Sequence, residues 1–269
     1  MIDAADRPSG GRLLREWRRR RNLSQLELAS GAAVSARHLS FIETGRARPS
    51  REMVLHLADR LDVPLRERNR LLLAAGHAPL FGEHGLDDAE MAAVRDALDR
   101  FLAAHDPYPA LVVDRHWDLV RANGALGLLT AGADPALLAP PANALRVALH
   151  PDGMAPRIVN LAEWSGHLLH RLRRQHAVTG DTRLRDLHDE LATYPGVDAG
   201  DDRGAGTADP AAILLPLRLR HPDGELSLLS TVTVFGTALD VTLSELTVEA
   251  FYPADDATAR ILRDHSTRR

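Results

Sequence analysis

The chain has 269 residues, enough for two modest domains, and its 45% hydrophobic and 26% charged content excludes a disordered chain. It contains no cysteine, which excludes disulfide scaffolds, thiol nucleophiles and thiolate metal sites. The net charge of −4 hides a split: residues 1–78 carry 15 arginines against 9 acids, the remainder 18 against 28, and there is no lysine. That asymmetry points to an N-terminal module for a polyanion.

No apolar run approaches the roughly 20 residues needed to span a bilayer. The N-terminus lacks the apolar core of a secretion signal, so no membrane partner and a cytoplasmic location are expected.

The first 78 residues read as five short helices. "GRLLREWRRRRN" places Leu13, Leu14 and Trp17 on one face. Ser24 caps a second helix, with Glu27 at the capping-box spacing and Gly31 as its stop. Ser35 caps a third, which runs to Thr44 and stops at Gly45. Ser50 caps a fourth, closed off by Pro64, and "LRERNRLLLAAG" is a fifth. The second and third helices, joined through "GAAV", have helix-turn-helix spacing. Val34, Leu39 and Ile42 then face inward, while Arg37, His38 and Phe41 face the groove. A helical bundle with a solvated arginine face is the alternative.

"HAPLFGEHG" reads as a linker, followed by a connecting helix capped by Asp87 with Met91, Val94, Leu98 and Phe101 or Leu102 as its apolar stripe. From residue 108, "ALVVDRHWDLVRAN" reads as a hairpin about a "DRH" turn. A helical middle follows, with "RIVNLAEWSGHLLHRLRRQ" its longest periodic element. "GVDAGDDRGAGTADP" reads as a mobile loop. "AILLPLRLRH", "ELSLLSTVTVF" and "VTLSELTVEAFY" read as three closing strands. Two strands, helices and three strands make a five-stranded antiparallel sheet with helices on one side. The expected domains are 1–78, a linker with connecting helix over 79–105, and 106–269.

Several constellations carry little chemistry. His167, His170 and His176 with Glu163 lack a metal motif such as HExxH, so no metal is expected. No phosphate loop, dinucleotide fingerprint or nucleophile elbow occurs, so neither catalysis nor a cofactor is expected.

The stretch "SQLELASGAAVSARHLSFIETGRARPS" resembles the helix-turn-helix of phage-repressor-like, or xenobiotic-response-element, regulators. "RNRLLLAAGHAPLF", "HDPYPALVVDRHWDLVRAN", "LHPDGMAPRIVNLAEW" and "LSTVTVFGTALDVTLSELTVEAFYPAD" resemble the MmyB-like regulators common in actinomycetes. The resemblance covers nearly the whole chain. It implies a transcription factor with a lambda-repressor-like N-terminal domain and a PAS-like ligand-binding C-terminal domain.

By the same resemblance Gln25 touches phosphate, and Ala36 and Arg37, with Ser35 beside them, meet bases at the start of the third helix. Arg46 and Arg48 match a basic loop on the DNA backbone, and Arg18 with Glu43 matches a buried ion pair. Phe41 stands where relatives carry a polar base-reader and can pack on a thymine methyl instead.

For the ligand, Arg157, Asn160 and Trp164 fall near one helix face, where Arg157 can clamp a carboxylate or form an ordinary surface pair. Trp117 and Asn123 beside the hairpin are further candidates. The expected function is a DNA-binding regulator, dimeric on an operator of two half-sites, that senses a small apolar or fatty-acid-like ligand. The rivals are a helical interaction scaffold and an enzyme acting on that ligand.

Overall fold

The computed structural model describes residues 9–199, 215–236 and 238–267; most of the expected loop at 196–210 lies outside them. The chain divides into two compact units, one of residues 1–84, 177–180 and 237–244 and the other of the remainder.

In the first unit, four of five helices begin at a serine whose hydroxyl accepts from the amide three residues on. The caps are Ser9, Ser24, Ser35 and Ser50, at 3.1 to 3.3 Å. The helices are α1 (Gly10–Arg20), α2 (Gln25–Gly31), α3 (Ala36–Glu43), α4 (Arg51–Arg60) and α5 (Leu65–Ala74). Glu27 closes the capping box on Ser24 N at 2.6 Å.

Each helix stops in the same way. Asn22, Ala33, Gly45, Asp62 and Gly76, each two residues past a helix end, take positive φ. The stop of α2 is therefore Ala33 at φ 53°, and not Gly31, because the chain must turn one helical step later for Val34 N to reach Ala29 O at 2.9 Å. Leu14, Trp17, Leu28, Leu39, Ile42 and Leu57 meet in one core. Burying side chains of this size contributes about 1.5–3 kcal/mol each. Gly11 lets α1 lie against α3, since a Cβ there would come within 2.0 Å of Ile42 O.

The second unit opens with α6 (Ala92–Ala104), preceded by a 3-10 turn at Ala89–Met91. Asp88, not the expected Asp87, stands at the N-cap of that turn, and its carboxylate accepts from Gly85 N. The strands are β1 (Ala110–Val113), β2 (Leu119–Ala122), β3 (Leu217–His221), β4 (Gly224–Val234) and β5 (Thr247–Pro253). All neighbours are antiparallel, in the order β2-β1-β5-β4-β3. Between β2 and β3 run α7 (Leu126–Leu129), α8 (Pro135–Leu138), α9 (Ala144–Leu149), α10 (Leu161–Thr179) and α11 (Thr182–Leu191). This is the five-stranded antiparallel sheet with a helical middle expected from two strands, helices and three strands.

Two details depart from expectation. The stretch expected as one strand divides: Val241–Ser244 is a helical turn, α12, because Asp240 Oδ1 accepts from Leu243 N at 3.2 Å. The strand begins only at Thr247. Nor is the sheet covered on one side only. Leu111, Val113 and Phe251 join the helices in the main core, yet Ala110, Val112, Val248 and Ala250, of opposite parity, are at most 4% exposed. The end of α6 lies at that second face, where the His105 ring meets Tyr252 edge-on at 4.8 Å. A last helix, α13 (Asp256–Thr267), packs on β4 and β5.

Candidate nucleic-acid interface and ligand cavity

The helix-turn-helix is held by one buried ion pair. Arg18 Nε and Nη2 donate to Glu43 Oε1 and Oε2 at 2.7 and 2.9 Å, the two residues being 7% and 5% exposed. Arg18 Nη1 donates to Leu23 O, and Gln25 Nε2 to Glu43 Oε2, both at 2.7 Å. Arg18 is thus spent on tying α1 to α3 and to the start of α2. Burial by itself would raise the Glu43 carboxyl; hydrogen bonds from Arg18 and Gln25, with the charges of Arg18 and Arg15, hold it below its ordinary value. Gln25, expected at phosphate, is half-buried at the first turn of α2 with its amide oriented by Glu43.

Ser35, Ala36, Arg37, His38, Arg46 and Arg48 are exposed, on and just beyond α3. The Ser35 hydroxyl serves as the helix cap. Phe41 is half-buried between two cations: the Arg37 and Arg46 guanidinium carbons lie 5.4 and 6.0 Å from its ring centre. These contacts restrain both arginines without neutralising them. Inward, Leu39 and Ile42 are at most 1% exposed, so one face of α3 is locked and the other carries charge.

In the second unit the inner face of the sheet and the covering helices line a partly open cavity of about 310 Å³. Its wall is apolar, including Leu111, Leu126, Leu145, Leu168 and Phe251. Trp117, Asn123 and Trp164 lie on it. Trp117 holds a left-handed φ of 70° at the end of the hairpin turn, an arrangement costly for a bulky residue. It is secured by Nε1 donating to Gln175 Oε1 at 2.8 Å and by the Arg171 guanidinium carbon 4.3 Å from its ring centre. Asn123 is occupied with the backbone: Oδ1 accepts from Ala110 N at 3.0 Å, and Nδ2 donates to Tyr108 O at 2.7 Å.

Arg157 and Asn160 do not line the cavity. They are not on the helix of Trp164, because α10 begins at Leu161 and Arg157 closes a 3-10 turn. Arg157 Nη1 donates to Leu129 O and Ala131 O at 2.9 and 2.8 Å, while Nη2 and Nε reach Leu128 O and Arg220 O at 3.3 Å. Every donor group is thus spent on carbonyls, so no carboxylate clamp stands there. Asn160 fastens the edge of β3, donating to Pro216 O and accepting from Arg218 N.

The residue that sequence reasoning missed is Glu249, the single ionisable side chain on the described cavity wall. It is 5% exposed at the centre of β5, opposite Leu111 on β1 and Val232 on β4. Burial raises its carboxyl above the usual range, with Arg171 and Ser230 pulling back. Burial likewise lowers the Arg171 guanidinium. The available signal was a lone acid inside an otherwise apolar strand, "LTVEAFY".

Of the four dismissed metal candidates, His167 stacks on Trp164 at 5.7 Å and His176 Nδ1 bonds Asp181 O. Ligand atoms of Asp114, His116 and Asp118 lie within 4.8 Å of one another. They build the hairpin turn: Asp114 Oδ1 accepts from the amides of His116 and Asp118, and His116 Nε2 meets Asp181 at 2.8 Å. No helix among the described residues is long and apolar enough to cross a membrane.

Comparison with known proteins agrees with this division. Residues 11–71 match the helix-turn-helix domain family. Residues 94–264 match the MmyB-like transcription regulator ligand binding domain. Proteins described as uncharacterized HTH-type transcriptional regulators, from Mycobacterium bovis and Mycobacterium tuberculosis, are 33% identical over 119 residues, 42% of this chain. The match spans 40% of the length of those relatives. A solved structure, of an RNA-binding light-oxygen-voltage receptor, aligns at 17% identity and a TM-score of 0.27 over 98% of this chain and 64% of that one, too distant to bear on function. With its helix-turn-helix followed by that ligand-binding domain over 94–264, the chain belongs to the MmyB-like transcription regulators.

Proposed function

We propose that this protein is a sequence-specific DNA-binding regulator that responds to a small apolar molecule held in the cavity of its C-terminal unit. The observation that carries the DNA reading is the division of α3 into a locked inner face and an outer face of exposed, uncompensated cations. The side chains of Arg37, Arg46 and Arg48 make no hydrogen bond or ion pair with the described residues. In this reading α3 lies in the major groove, with Ser35, Ala36, Arg37 and His38 at base edges and Phe41 against a thymine methyl. Gln25, Arg46 and Arg48 meet phosphates and supply most of the affinity. One such helix buries little surface, so a homodimer on two half-sites completes the assembly. Binding rather than turnover is favoured because, among the described residues, the cavity wall offers one carboxyl and no nucleophile partnered with a base.

The test is selection of bound sequences followed by salt-dependent gel shifts. Arg37→Ala should cost about 1–3 kcal/mol and relax preference at one position per half-site. Arg46→Ala and Arg48→Ala should weaken all sequences alike and each lower the salt slope by about 1. An Arg37→Ala protein that selects the wild-type consensus at every position would remove the base-reading assignment.

A further inference from the structure

Both partners of Glu249 meet the same oxygen. Arg171 Nη1 and Ser230 Oγ lie 3.4 and 3.2 Å from Oε1, and Oε2 has no partner among the described residues. The carboxyl is nonetheless buried, and it belongs to the wall of an otherwise apolar cavity. Oε2 is not sealed off by protein, so it stays open on the cavity side, and an apolar ligand that covered it without a hydrogen bond would bear its desolvation cost. Of the other polar groups of the wall, Asn123 is committed to the backbone, the Trp117 indole to Gln175 and the Thr130 hydroxyl to Leu126 O, while the Trp164 indole N–H makes no hydrogen bond with the described residues.

Arg171 is not on the wall. It lies against Trp117 and Glu249, so the acidic end of the pair is the one that a ligand meets. A ligand carboxylate would put two acids side by side in an apolar space. A ligand amine would leave two cations about one carboxylate, with net charge in low dielectric. An alcohol adds no charge and donates the one hydrogen bond that Oε2 lacks.

Resting on the reading of this cavity as a ligand site, we propose that Glu249 is its specificity-determining residue and selects an apolar molecule bearing a hydroxyl group over the matching carboxylic acid. The fatty-acid-like ligand expected from the sequence, with Arg157 as its anchor, is replaced by a neutral alcohol anchored at Glu249.

The probes are decanol, decanoic acid and decylamine, each titrated at neutral pH into the full chain and read by calorimetry and thermal shift. Decanol should bind, with decanoic acid and decylamine each at least about tenfold weaker, a difference of 1.4 kcal/mol. Glu249→Gln keeps the shape and removes the charge, so the acid should gain on the alcohol and the tenfold gap should close. Equal or tighter binding of the acid or the amine by the wild type overturns the proposal, as does a gap unchanged in Glu249→Gln. The wild-type series decides alone if that variant does not fold. Binding by none of the three overturns the cavity as an apolar ligand site, whereas binding without a preference for the alcohol overturns only the role of Glu249.

Discussion

Removing Glu43 should unfold the helix-turn-helix locally without touching any residue placed at DNA bases. In Glu43→Ala the Arg18 guanidinium stays buried, loses two hydrogen bonds of 2.7 and 2.9 Å and keeps only the one to Leu23 O. Gln25 loses its acceptor as well. Hydrogen bonds to charged partners contribute about 1.5–3 kcal/mol each, so the two from Arg18 account for about 3–6. Breaking one side of a buried ion pair costs about 3–5 kcal/mol by direct comparison. Set against a whole-domain stability of about 5–15 kcal/mol, that is a large fraction.

Amide hydrogen exchange of the full chain, read on peptides of α1 to α4, should show protection lower by about a hundredfold or more. Protection within about threefold of wild type would refute the reasoning, since the charge left behind would then be reaching solvent. The pH dependence has a fixed sign. The folded carboxyl lies below its ordinary value, so its contribution is complete above the unfolded glutamate value of about 4.3 and is lost as the pH falls through the lower folded value. The difference between wild type and Glu43→Gln should therefore narrow on acidification.

Three further outcomes follow from backbone and burial. Ala33→Gly should stabilise the first unit by about 0.5–1 kcal/mol, because relief of the left-handed conformation (about 1–2) exceeds the added freedom of the unfolded chain (about 0.4–1). Denaturant melts check it, and a loss of stability would refute it. Gly11→Ala gains about 1 kcal/mol in helix propensity, yet should destabilise by about 1–3 because its Cβ strikes the Ile42 carbonyl; a net gain in the same melts would deny the close approach. Glu249 titrates with the opposite sign to Glu43. Its folded carboxyl lies above the ordinary value, so stability falls as the pH rises from the unfolded value of about 4.3 through the folded one. Thermal melts of Glu249→Gln should lack that fall, and parallel pH profiles would refute it.

Local signals determined the first unit. Serine caps, the capping box and the inward set of Val34, Leu39 and Ile42 act within one or two turns of chain, so they are legible in sequence and are met in the structure. The hairpin and the order of strands about a helical middle were legible for the same reason. Helix ends were less so: two residues beyond α2, an alanine does what a glycine usually does, because the α2–α3 packing outweighs a backbone cost of about 1–2 kcal/mol.

The ligand site depended on tertiary structure. Arg157, Asn160 and Trp164 share helical spacing in the sequence, but the helix starts four residues after Arg157, and the arginine is spent on carbonyls brought from α7 and β3. Glu249 reads in sequence as one acid in a strand. It becomes the polar point of a cavity only when β1, β4 and β5 pair, and when Arg171 and Trp117, 54 residues apart in the chain, stack beside it. Burial and partnership are properties of residues far apart in sequence, and no local pattern encodes them.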